Sequence, residues 1–262
     1  MSQIEKDDLK NFKEKISVAY ADIQLPTKDS KYTKVTDLGK LTAYPSTTKE
    51  VADSIIIIKN ATLHGDSKER INIVALQGTE MVDGQATGIQ EDLLAGLELN
   101  NHYLYDAYQA ILKHIPQDSN EKLLITGVSL GGMVSQQLAG LDIIKAKYDV
   151  KYVVALGSPM LTPEKIDYEK TSVVRICDAA DLVPHLSESA TKDDLEKNIT
   201  IERQSQYKSV IGAHALSYVD EEIWKNIDVL GHENGKAYIT FEDSNFEIVT
   251  EAAENLDANK EQ

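Results

Sequence analysis

The stretch "LLITGVSLGGMVSQQLAG", residues 123–140, decides how this chain is read. Ser129 sits between glycines where an apolar run ends and a helix-like run begins. Residues Gly127, Val128, Ser129, Leu130 and Gly131 spell G-x-S-x-G. Leu123–Thr126 has the character of a strand, and Gly132–Ala139 that of a helix. This is either an ordinary glycine-rich turn that contains a serine, or a strand–turn–helix elbow that presents Oγ at the carboxyl end of a strand. The glycines permit the sharp turn and close strand–helix packing, and the helix N-terminus favours developing negative charge. A serine hydroxyl alone is a poor nucleophile at neutral pH. The elbow reading therefore requires a base, a carboxylate and an oxyanion site elsewhere in the chain.

The sequence around the elbow alternates between strands and helices. "DSIIIIKNAT" and "RINIVAL" are rich in β-branched residues and flank the turn-like "HGDSKE", which predicts an antiparallel pair. Residues 91–115 are helical in period, and Pro116 stops them. Then come strand "KLLITG", helix "GGMVSQQLAGLDIIKAK", strand "KYVVALGS", a loop with two prolines, and strand "TSVVRI". This order predicts an α/β fold with a mostly parallel central sheet flanked by helices. Residues 4–20 space apolar side chains at near-helical intervals, and mixed polar sequence runs from there to about residue 50. Residues 235–249 suggest one edge strand. The stretch from 251 to 262 reads as a polar, frayed tail.

Composition narrows the function classes. The 262 residues are 42% hydrophobic, a globular proportion. The net charge of −16 and the lack of clustered Lys and Arg argue against nucleic acid as a partner. The same charge allows at most transient contact with an anionic membrane surface. The single cysteine, Cys177, excludes an internal disulfide and a multi-cysteine metal site, and no cofactor is implied. It follows the apolar "SVVRI" and reads as a buried small residue. The start "MSQIEKDDLKNFKEK" has no apolar core of a secretory signal, and "SIIIIK" is too short to span a bilayer. A soluble, cytoplasmic protein is expected, with leaderless secretion as the other route.

The partners that Ser129 needs follow it in the order acid, then histidine. "VVRICDAADLVPHL" supplies Asp178 and Asp181 just past a strand, and "IGAHALSY" supplies His214. His185 stands too near Asp181 in sequence to be its imidazole partner. His64, His102 and His114 precede Ser129 and read as surface or packing residues. His232, in the polar turn "GHENGK", is the second candidate base.

Six segments together resemble the class 3 lipases, the fungal-lipase-like branch of the α/β-hydrolases. They are "VALQGTE", "HYLYDAYQAILKHI", "ITGVSLGG", "VALGSP", "RICDAADLVPHL" and "AHALSY", in the family's order between about residues 50 and 220. The resemblance implies Ser129 as nucleophile, Asp181, two places before Val-Pro, as acid, and His214 as base. It puts Thr79 and the backbone N–H of Leu130 at the oxyanion hole. It also implies an α/β-hydrolase domain over residues 51–250, with residues 1–50 as a helix and connection packed on it. The implied activity is hydrolysis of carboxylic esters of acyl lipids, of lipase or phospholipase A type, through an acyl-enzyme. The alternatives are a leaderless bacterial phospholipase effector held by an inhibitory or chaperone partner, a non-lipid carboxylesterase, and a catalytically silent binding module. Residues 80–91, "EMVDGQATGIQE", fall where the family carries a lid; few are large and apolar, so a small or weakly apolar lid is expected. Three features depart from the family. Val128 replaces the usual histidine before the serine, and Gln77 replaces the usual arginine. The disulfides and signal peptide of secreted fungal members are missing.

Overall fold

The computed structural model describes residues 12, 14–44, 55–78, 89–118, 120–159, 165–185 and 197–253. Its centre is a sheet of nine strands among these residues. In chain order the strands are β1 (Lys31–Tyr32), β2 (Ile55–His64), β3 (Lys68–Leu76), β4 (Lys122–Val128), β5 (Asp149–Leu156), β6 (Ser172–Asp178), β7 (Ile199–Arg203), β8 (Tyr238–Thr240) and β9 (Glu247–Glu251). The helices are α1 (Val35–Ala43), α2 (Ile89–His114), α3 (Leu130–Gly140), α4 (Asp142–Lys147) and α5 (Val210–Leu216). Spatially the order is β1-β8-β2-β3-β4-β5-β6-β7, with β9 also on β2. From β3 to β7 every pairing is parallel, whereas β2 pairs antiparallel with β3, β8 and β9.

A sheet covered on both faces asks for continuous apolar strands rather than alternating ones. The run Ile55–Ile58 is such a strand. Ile56 and Ile58 enter a core shared with α1, Tyr218, Trp224 and Phe241, while Ile55 and Ile57 enter a second core under α2 and α3. Leu124 and Leu123 divide in the same way on β4, as do Val174 and Val173 on β6. The result is an α/β-hydrolase arrangement of helices on both sides of a mixed, mostly parallel sheet. Among the described residues no helix is long and apolar enough to cross a membrane.

Several expectations need correcting. Residues 14–20 are helical, but most of the proposed helix before them lies outside the described residues. The mixed polar stretch beyond contains β1 and α1, and Val35, Leu38 and Leu41 of α1 are buried. The single edge strand at 235–249 is two strands on the same edge of β2. The polar tail does not begin at 251, because Glu251 closes β9 and Ala253 is buried in the second core. The β2–β3 ladder also carries a register shift between Ile58 and Ala61. Asn60 makes it possible with a φ of 59, a left-handed conformation that asparagine tolerates. Its N–H donates to Asn72 Oδ1 at 3.1 Å.

Candidate active site

The nucleophile turn is built by close approach. β4 ends at Val128, α3 begins at Leu130, and Ser129 between them holds φ 54 and ψ −120. A positive φ is strained for a residue with a Cβ and persists only where the surroundings enforce it. The Ser129 N–H donates to Leu156 O at 2.9 Å, and its carbonyl accepts the Met133 N–H at 3.1 Å. A methyl on Gly127 would sit 2.2 Å from the Gly131 carbonyl, and one on Gly131 would sit 2.3 Å from Leu76 O. Both glycines are therefore required for α3 to start this close to β3 and β4.

The acid and the histidine arrive from separate loops. Asp181 follows β6 and is fully buried. Its Oδ2 lies 2.8 Å from His214 Nδ1 and accepts the Tyr218 hydroxyl at 2.6 Å, while Oδ1 accepts the Val183 N–H at 3.0 Å. Three donors compensate a carboxylate removed from water. His214 sits on α5, whose start is capped by Ser209, with Oγ accepting the Gly212 N–H at 3.1 Å. Its Nε2 lies 2.9 Å from Ser129 Oγ. An ionised carboxylate only accepts, so the proton belongs on Nδ1 and Nε2 is left to accept from the serine. Ser129 and His214 are each 7% exposed.

Thr79 lies outside the described residues, as does the lid segment up to residue 88. The chain leading to Thr79 passes beside the serine: a methyl on Gly78 would sit 3.1 Å from Ser129 Cβ. Gln77 is buried, and its carbonyl accepts the Tyr103 hydroxyl at 3.0 Å. Leu130 occupies the first position of α3, where no intrahelical carbonyl meets its N–H. Val128 is half-buried and packs against the first core.

The competing residues are elsewhere. Asp178 is fully buried, and its Oδ1 accepts the N–H groups of Ala180 and Ser205 at 3.0 and 3.4 Å. His232 lies 3.8 Å from Asp228, and His185 3.5 Å from Glu202. His64 stacks on Tyr238, His114 bonds Glu251, and His102 is exposed. Cys177 is 2% exposed. Among the described residues no group of three or more His, Cys, Asp or Glu side chains is arranged to hold a metal ion.

One supporting residue escaped the sequence reading. Arg175 lies on β6 and is 4% exposed, and its guanidinium donates to the carbonyls of Ser158 at 3.1 Å and Pro184 at 3.0 Å. It thereby ties the loop after β5 to the loop that carries Asp181. The signal was a lone cation inside the apolar "SVVRIC", since buried Arg is rare without a dedicated set of partners.

Residues 72–191 match the family model described as lipase (class 3). This stretch of the chain is similar to the class 3 lipases. With that match it is an enzyme, a serine ester hydrolase of the lipase type. The chain is also similar to a crystal structure of the lipase from Rhizopus microsporus var. chinensis, at 13% sequence identity and a TM-score of 0.34. That likeness covers 71% of this chain and 70% of the other. No curated protein matches the chain.

Proposed function

We propose that the lipase cleaves carboxylic esters of acyl lipids, as a lipase or phospholipase A, with Ser129, His214 and Asp181 as its triad. The unbroken contact from Asp181 Oδ2 through both nitrogens of His214 to Ser129 Oγ carries this reading. His214 Nε2 takes the serine proton as Oγ bonds to the ester carbonyl carbon. Asp181 holds the ring in the required tautomer and stabilises the imidazolium. The carbonyl oxygen becomes an oxyanion facing the Leu130 N–H, with Thr79 as the second donor. Collapse of the tetrahedral species breaks the carbon–oxygen bond to the alcohol, which leaves with the proton from His214. Water then attacks the acyl-enzyme by the same route and frees the fatty acid and Ser129.

The experiment is hydrolysis of a short p-nitrophenyl ester by Ser129→Ala, followed by a positional panel of phospholipids and glycerides. The variant should fold and lose about 10⁴-fold or more in kcat. Full activity in that variant overturns the assignment. Fatty acid released only from triglycerides would exclude the phospholipase branch.

A further inference from the structure

The segment before β2 and the histidine helix both lie outside residues 72–191, and the segment touches that helix and the turn that follows it. The last carbonyls of an α-helix have no intrahelical donor and need partners from elsewhere. In α5 the Ala213 carbonyl accepts both the N–H and the hydroxyl of Ser217, the latter at 2.6 Å. The Ala215 carbonyl, on the residue next to His214, accepts the Tyr20 hydroxyl at 2.5 Å across 195 residues of chain. Burial raises the pKa of that hydroxyl, so it remains a donor. The helical turn around Tyr20 has little apolar burial of its own: Val18 is 77% exposed, and the next buried apolar side chain is Ile23. The second contact comes from α1. A methyl on Gly39 would sit 2.1 Å from the Tyr218 carbonyl oxygen, so α1 lies directly against the turn whose tyrosine bonds Asp181. Lys34 and Lys40 of this segment also pair with Glu221, just beyond that turn, at 3.5 and 2.5 Å.

We propose that Tyr20 is a positioning residue of the hydrolysis reaction, anchoring the last turn of the histidine helix at the Ala215 carbonyl so that the ring spans Asp181 and Ser129. The proposal rests on the triad reading above. Tyr20 touches no reacting atom. It acts because Ala215 follows His214 directly on the short helix α5, so a shift of the Ala215 carbonyl moves the helical turn that carries the imidazole. A displacement of about 1 Å in a catalytic group costs on the order of a hundredfold in rate. The contact joins the segment before β2 to α5, and both lie outside residues 72–191.

The test compares the wild-type chain, Tyr20→Phe, Asp181→Asn and the double variant on a soluble p-nitrophenyl ester, well below any thermal transition. Ser129→Ala serves as the blank. Tyr20→Phe should lower kcat on the order of tenfold with KM unchanged. It should also broaden or shift the far-downfield proton resonance of the Asp181–His214 hydrogen bond, while unfolding stays cooperative. In the Asp181→Asn background the same change should add no further loss, because the contact it preserves is already broken. Unchanged kcat and an unchanged downfield proton in Tyr20→Phe, with Ser129→Ala inactive, would leave Tyr20 a surface tie and overturn the proposal. So would equal losses in both backgrounds. An active Ser129→Ala would instead remove the triad reading itself.

Discussion

At φ 54 and ψ −120 the Ser129 backbone occupies a region that costs roughly 1–3 kcal/mol for a residue with a side chain. The bonds to Leu156 and Met133, and the glycines on either side, make every relaxed alternative worse. The strain thus fixes Oγ in the direction of His214 before any substrate arrives. Cys177 illustrates the opposite case, a reactive group made inert. Burial pushes its thiol up to about 11, against the opposing effect of the Arg175 charge. Near neutral pH a thiol with so high a pKa is almost wholly protonated. Iodoacetamide is expected to leave the folded enzyme unlabelled and fully active, and to label Cys177 only after denaturation. Stoichiometric labelling of the native chain at the rate of a free thiol would contradict that assignment.

At the scale of elements, two loops and one helix must stay in register for the site to exist, and Arg175 ties the two loops. A buried cation held by backbone carbonyls is expensive to desolvate, and an apolar residue of similar length often matches it in stability. Arg175→Met is therefore expected to hold or raise the urea midpoint while lowering kcat, because the Asp181 loop loses its tie to Ser158. A matched fall in both quantities would assign Arg175 to stability alone. The elements that were legible in the sequence share a cause. β2 to β6 are apolar on both faces, and α2 is long and ends at a proline. Helix α1 was missed because Thr36, Gly39 and Thr42 are weak helix formers that nevertheless face inward. Strands β1 and β8 are too short to show a period, and the Asn60 bulge leaves no pattern at all. The proposed acid and histidine were read from chain order and from the Val-Pro context of the resembled family. Tyr20 was not, because its contact is made by tertiary folding and not by any local motif.

For the whole molecule, the two cores share the central sheet, so the strands couple them. Ile57 is fully buried and lies beneath the second core, and Ile56 beside it lies beneath the first. Ile57→Ala should cost about 2–5 kcal/mol in urea unfolding, with no separate transition for either side of the sheet. Two resolved transitions would mean that the cores melt independently. The same strand bears on how the chain is made. The outer edge of the tetra-isoleucine run is closed by β9, through pairs such as Ile57 with Val249, and further along by β8. During synthesis β2 and β3 leave the ribosome long before those partners. Until then an uncharged, β-branched edge stands open, a form prone to pair with another copy of itself. Ribosome pausing or a premature stop ahead of β8 would therefore favour aggregates over a merely inactive enzyme.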